Sequence, residues 1–424
     1  MRKIKSIKDV VDWGLCIGCG ACRYFCGDDS ISLENIENTG IRPKFKKIND
    51  SNYSECLKFC PGYSIDAGQN SNNPTAQSYP HLLIGPTIEI WEGFATDNNI
   101  RHSASSGGAL SALASYCLEK ENMKFVLHVG MDPLTPWNNK TVQSRNRDEL
   151  LARTGSRYAP SSPCEGLRLI EESERPCVFI GKPCDVAAVS ALRKHRPKLN
   201  AKLGLVLTFF CAGPPCAEGT LALLNQLKVN PEAVNEIRYR GNGWPGNFKV
   251  TYNNRSEQKS LTYQESWGSL VKHPRSFRCH LCPDGLGELA DISCGDAWHL
   301  YGDNGDAGRS LVLVRTDQGQ DLLGRAMAAG YFELVRSQSS EVIRAQPLAQ
   351  RRAVVFGRLM AMKALLIPVP KFIDFSLHKA WMANPLSIRI RTILGTSKRL
   401  LTRGLWHRKQ LFKSNKTTRS QNNS

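Results

Sequence analysis

The chain has 424 residues, 41% of them hydrophobic and 22% charged, enough for two or three domains with large buried cores. No run approaches the roughly 20 apolar residues that span a bilayer, and Met1-Arg2-Lys3-Ile4-Lys5 leads into no apolar stretch, so neither a transmembrane helix nor a secretory leader is predicted. The formal charge is +18, and fifteen cysteines, an odd number with several at metal-like spacings, point to a reducing cytoplasm rather than a disulfide framework.

The first predicted element is a cysteine loop, Cys16-x2-Cys19-x2-Cys22-x3-Cys26, answered by Cys56-x3-Cys60-Pro61-Gly62. Thiols at that density suit a cubane 4Fe–4S cluster, because a tight loop must aim three thiolates at one small inorganic core. Gly18 and Gly20 allow the backbone to wrap it. A zinc knuckle would show two separated C-x2-C pairs, which this segment lacks. In two-cluster ferredoxins the first three cysteines of one motif join the last of the other, so Cys16, Cys19, Cys22 and Cys60 form one set. A second set would need two more thiols beside Cys26 and Cys56: Tyr53 and Asp50 stand where those belong, and Gly27 replaces the usual proline. One cluster is predicted here, and these two cysteines are lesser candidates for a second.

Residues 1–67 are thus read as a ferredoxin-like module, and 68–80, with the polar run Gly68–Thr75, as a linker. Over 81–345 apolar, strand-like runs alternate with helical segments. Strands are predicted at 88–95, 125–130, 177–181, 203–211 and 311–315. Helices are predicted at 107–120, 185–194, 218–227 and 320–329. Residues 237–262 read as β-rich around the turn Gly241–Gly246. This alternation predicts an α/β domain (α+β overall) with a mainly parallel sheet. Residues 346–424 read as a basic helical extension, disordered from about Lys413.

Several short motifs carry chemistry. Ser105-Ser106-Gly107-Gly108 opens a helix with small hydroxyl residues and glycines, where free amides receive a phosphate or the serines act as plain caps. Gly155-Ser156-Arg157-Tyr158 sets a cation and an aromatic beside a turn, fit for a phosphate, for a ring, or for a solvated loop. Gly181-Lys182-Pro183-Cys184 ends one buried strand and Cys211 the next, at the sheet edge where ligands collect. Cys279-x2-Cys282 is a metal half-site or a redox dithiol. Cys184, Cys211, Cys279 and Cys282 make a complete four-thiolate set, with Cys294 as a substitute, whereas Cys117, Cys164, Cys177 and Cys216 read as core or surface thiols. His273, His280 and His299 lie near these motifs as ordinary polar residues or proton relays.

Together with Ala290-Asp291-Ile292-Ser293-x-Gly295-Asp296, these ordered motifs resemble the coenzyme F420 hydrogenase/dehydrogenase beta-subunit family over roughly residues 10–350. The resemblance implies FAD cradled by the Ser105–Gly108 and Gly155–Tyr158 loops, with Asp296 beside them and at least one 4Fe–4S cluster adjacent. It implies an oxidoreductase moving electrons between a hydride-carrying small molecule and a redox partner such as a ferredoxin. Branches of the family act as flavin reductases or accompany polysaccharide synthesis, and the substrate, including coenzyme F420, stays open. A non-catalytic electron-transfer subunit of a larger complex is the alternative, and a zinc-stabilised structural protein a third.

The charge is concentrated at the end. Residues 375–424 hold eleven Lys or Arg and no Asp or Glu. Interleaved Leu, Ile, Trp and Phe make 386–412 a basic amphipathic stretch. It suits the anionic inner face of a membrane, or docking on its own domain with a solvated cationic face. Nucleic-acid binding is disfavoured, because no recognised module accompanies the charge.

Overall fold

The computed structural model describes residues 3–47, 51–68, 79–301, 307–405 and 407–408. The predicted linker core and the predicted disordered end from Lys413 lie outside them. The centre is an eight-stranded sheet built from β1 (Glu89–Ala95), β2 (Val126–Met131), β3 (Asn139–Ser144), β4 (Cys177–Gly181), β5 (Leu203–Phe209), β6 (Ile292–Asp296), β7 (Ser310–Val314) and β8 (Phe332–Arg336). Its spatial order is β8-β1-β7-β6-β5-β4-β2-β3. β6, β5, β4 and β2 pair in parallel, and the pairings beyond them on both sides are antiparallel. Five of the eight strands therefore run in one direction, as the α/β reading predicts. All five residues of both β4 and β7 are buried, which is why they read as unbroken apolar runs. Three strands are absent from the predicted set: the polar edge strand β3, the five-residue edge strand β8, and the central β6, whose Ser293, Gly295 and Asp296 break up its apolar run.

Two helices follow strands and position the site. α1 (Ala109–Glu119) buries Ala112, Leu113, Ala114 and Tyr116 on the sheet. α2 (Pro183–Arg193) begins with proline in its first turn directly after β4, where the missing N–H costs nothing. Residues 234–238, 248–252 and 257–261 form a separate three-stranded antiparallel sheet, and the turn Gly241–Gly246 joins its first two strands.

The cysteine loop is fastened to the large sheet. The Ser162 hydroxyl donates to the Gly18 carbonyl at 2.7 Å, and the Cys164 N–H donates to the Cys19 carbonyl at 3.0 Å. Arg23 pairs with Glu165 at 2.6 Å. The chain end also returns to this region: Lys371–Ile373 pairs in parallel with Ser64–Asp66. α3 (Leu348–Ala364) and α4 (Leu386–Thr402) make the rest of the extension largely helical. Its beginning is a wall of the site described next.

Candidate functional site

A cavity of about 470 Å³ opens where the parallel strands end, beyond Gly181 of β4, Phe209 of β5 and Asp296 of β6. Ser105, Ser106, Gly108, Gly155, Ser156, Arg157, Tyr158 and Asp296 all line it. The two loops touch: the Ser156 N–H donates to the Ser105 hydroxyl oxygen. The Ser106 hydroxyl donates to the Arg309 carbonyl at 3.0 Å. Gly107, between Ser106 and Gly108, does not line the cavity. A Cβ there would lie 2.6 Å from the Gly93 carbonyl and 2.7 Å from the Ser310 nitrogen, so this glycine lets the loop pack on β1 and β7.

Arg157 lines the cavity, but its guanidinium is committed elsewhere. It donates to Asn139 Oδ1 and to the carbonyls of Ile237, Pro136 and Asn138. Its work is to hold the loop, and no free fork remains for a diphosphate. Asp296 is likewise engaged. It accepts both ends of the Arg240 fork, at 2.9 and 2.8 Å, and the Trp244 indole N–H at 3.0 Å.

Arg240 belongs to none of the sequence motifs, although Arg238-Tyr239-Arg240 directly precedes the Gly-Asn-Gly turn. Its carbon centre lies 5.1 Å from the ring centroids of both Tyr263 and Trp298, and the residue is 2% exposed. Burial works against its charge, but Asp296 and Tyr158 hold its pKa above the ordinary guanidinium value. A second buried cation, Lys182, donates to Ser161 Oγ and Asp185 Oδ2, both at 2.7 Å.

A smaller hollow of about 60 Å³ adjoins the first and is lined by Cys184, Cys211, Cys279 and Cys282. Cys184 stands in the first turn of α2, and Cys211 lies just past β5. Cys279 sits on the short 3-10 turn Phe277–Leu281, with Cys282 next after it. The four predicted thiols are thus brought together, and Cys216, read as a plain core or surface thiol, lines the same hollow. Burial pushes the Cys211 thiol up to about 12 and the Cys282 thiol up to about 11. Cys294 does not reach this hollow. It lies on β6 and lines the large cavity instead, because the strand register sends it into the sheet's own core.

A third hollow of about 30 Å³ is lined by Cys16, Cys19, Cys22, Cys56 and Cys60. Gly18 shapes it: φ is +74°, and a Cβ would meet the Ile41 carbonyl at 2.4 Å, so no side chain fits. Cys26 is outside this lining. It closes the helix Ala21–Cys26, with its sulfur 3.4 Å from that of Cys56. Tyr53, at the position of an absent thiol, is buried and donates its hydroxyl to the Ser30 carbonyl at 2.9 Å. Among the described residues no group of three or more His, Cys, Asp or Glu is placed to hold a single metal ion. The thiols instead surround hollows. Ionised together there, they would need a positively charged core to offset burial and mutual repulsion, and a cubane cluster has that character.

His273, His280 and His299 do not line the large cavity. His128 does: it lies on β2, 2.8 Å from the Ser144 hydroxyl, and burial pushes its pKa down from 6.5 to about 4. The folded protein therefore binds this proton only near pH 4, whereas the unfolded chain binds it near 6.5. The stability from neutral His128 is complete above pH 6.5 and is lost as pH falls toward 4. We expect this group alone to cost ~2 kcal/mol on going from about pH 7 to about pH 5. Urea denaturation at both values is the check, and His128→Gln should remove that part of the pH dependence.

Comparison with known proteins agrees with this architecture. The family profile for the N-terminal part of the coenzyme F420 hydrogenase/dehydrogenase beta subunit matches residues 90–168, and the profile for its C-terminal part matches residues 175–340. The coenzyme F420 hydrogenase subunit beta of Methanococcus voltae is 25% identical over 245 residues, spanning 56% of this chain and 81% of that protein. A subunit of the F(420)H(2) dehydrogenase of Methanosarcina mazei is 19% identical over 361 residues, 84% of this chain and 92% of that protein. A chain of the F420-reducing NiFe hydrogenase complex from Methanosarcina barkeri, solved as a xenon derivative, shares the fold. Its TM-score is 0.52 at 20% identity, covering 69% of this chain and 97% of that one.

These relatives define a class, the subunits of hydrogenase and dehydrogenase oxidoreductases. Within it, the chain belongs to the coenzyme F420 hydrogenase/dehydrogenase beta-subunit family. Among the described residues, no helix is long and apolar enough to cross a membrane.

Proposed function

We propose that this chain is an iron–sulfur flavoprotein that moves electrons between a hydride-carrying small molecule and a partner redox protein such as a ferredoxin. One observation carries the reading: the three cavities adjoin in a row. Lys182 and Cys211 belong to both the large cavity and the inner thiol hollow, and Ile17 belongs to both thiol hollows. FAD in the large cavity would take a hydride as two electrons and release them singly to clusters.

The chain's own residues suit that arrangement. The joined Ser105 and Ser156 loops offer hydroxyls and backbone at one wall. Lys182 and Arg240 are buried cations on the cavity wall, each paired with a carboxylate, Asp185 and Asp296, so they fix the wall's shape and add no net charge. Cys184, Cys211, Cys279 and Cys282 would hold an inner 4Fe–4S cluster, and Cys16, Cys19, Cys22 and Cys60 an outer one. In this reading residues 1–67 are the outer port and 81–345 the flavin domain. Coenzyme F420 is the first hydride carrier to test, because relatives carry that name.

Anaerobic purification with iron, sulfide and flavin analysis tests the proposal. About eight irons, about eight sulfides and one FAD per chain are expected. Iron with no FAD released on denaturation would leave the non-catalytic electron-transfer subunit standing in its place. Colourless protein holding zinc would remove both.

A further inference from the structure

The tail helix α4 presents a surface that neither the sheet nor the cavities use. Its 17 residues are fixed to the body by one side: Thr396 and Leu400 are buried, and Leu400 packs in one core cluster with Val355, Leu359 and Met362. Docking on its own domain therefore holds for this face. The remainder is not a purely cationic solvated face. Leu386 is 62% exposed, Ile390 49%, Leu394 64% and Leu401 50%. Their spacing of i, i+4, i+8 and i+15 puts them in one stripe along the helix. Exposed Arg391 and Lys398 border that stripe, and Arg389 lies 3.3 Å from the sulfur of exposed Met382 at the helix start.

We propose that this stripe rests on an anionic lipid surface, with the four aliphatic side chains at the headgroup–acyl boundary and the flanking cations among the headgroups. The charge pattern selects this occupant. Residues 375–424 contain eleven Lys or Arg and no Asp or Glu. A protein partner is usually placed by mixed charges that set orientation and register. A uniformly basic, apolar-striped helix instead matches a continuous anionic surface that imposes no register. At 17 residues the helix is about 25 Å long, suited to lying in the interface plane. The surface is separate from the proposed redox path, so either proposal can fail alone.

The full chain, loaded with its cofactors, is sedimented with phosphatidylcholine vesicles that contain phosphatidylglycerol and with vesicles of phosphatidylcholine alone. Pelleting with the anionic vesicles only is expected, weakening as salt rises from about 0.1 M to about 0.5 M. Ile390→Ser combined with Leu394→Ser should lower partitioning roughly 30-fold. Both positions are exposed, so the far-ultraviolet circular dichroism and the visible spectrum should stay unchanged. Failure of the wild type to pellet with anionic vesicles overturns the proposal, as does equal pelleting of wild type and double variant. Light scattering without lipid that finds a dimer converted to monomer by the double variant also overturns it, because a second copy then covers the stripe.

Discussion

Cys282→Ala, purified without oxygen, is expected to hold about four irons per chain in place of about eight, while its outer centre is retained. Cys282 lines only the inner hollow, with Cys184, Cys211 and Cys279, and takes no part in the outer one. The outer set is held by its own loops, by the segment near residues 162–165, and by Ser276 and Arg278, which donate to the carbonyls of Cys16 and Pro61; the Cys282 side chain makes none of these contacts. Removing the sulfur costs the fold little, since its one weak hydrogen bond runs to the Asp284 carbonyl at 3.3 Å. Iron analysis and the low-temperature paramagnetic resonance of the reduced protein read the result. Full iron and an unchanged signal would exclude Cys282 as a ligand and turn attention to Cys216. Cys60→Ala is the mirror experiment: it should remove the outer centre and leave FAD and the inner one in place.

Asp296→Ala is expected to cost ~3–5 kcal/mol of folding stability, a large share of what holds a domain together. The reason is the charge it strands. Arg240 is 2% exposed, and its fork is satisfied on one side by the two carboxylate oxygens of Asp296. Trp244 would lose its indole acceptor as well. Arg240 combined with its partner as Arg240→Met and Asp296→Leu should recover most of the loss, because no buried charge is then unpaired. Urea denaturation of the three proteins decides it. A loss below ~1 kcal/mol in Asp296→Ala would mean that water reaches the guanidinium. In the proposed function the same substitution should also weaken FAD retention, since Arg240 and its aromatic neighbours form one wall of the cavity.

Much of this is open to reading in the sequence. The buried strands 177–181 and 203–209 announce themselves as continuous apolar runs, because central strands are covered on both faces. The thiol sets at Cys16, Cys19, Cys22 and Cys60, and at Cys184, Cys211, Cys279 and Cys282, follow from spacing and from position at strand ends. Gly107 packs against neighbouring strands, and in one dimension a glycine that admits a ligand and one that admits a strand look alike. Asp296 and Arg157 both lie at the cavity, and the structure adds that their polar atoms also hold protein partners. Nothing in a linear motif reports whether a charge is already paired.

The sequence by itself determined which chemistry the chain can hold and which segments form its central strands other than β6, because thiol spacing and apolar periodicity are local properties. Only the tertiary structure decided how those pieces meet. It joined the Ser105 and Ser156 loops, paired Arg240 with Asp296 across 56 residues, and put Lys182 and Cys211 on the wall between two cavities. It separated Cys26 and Cys294 from the hollows that their spacing suggests, through helix and strand direction. It also split the basic tail helix into a docked face and an exposed apolar stripe. These are long-range contacts, set by how faces pack, and no window along the chain contains both partners.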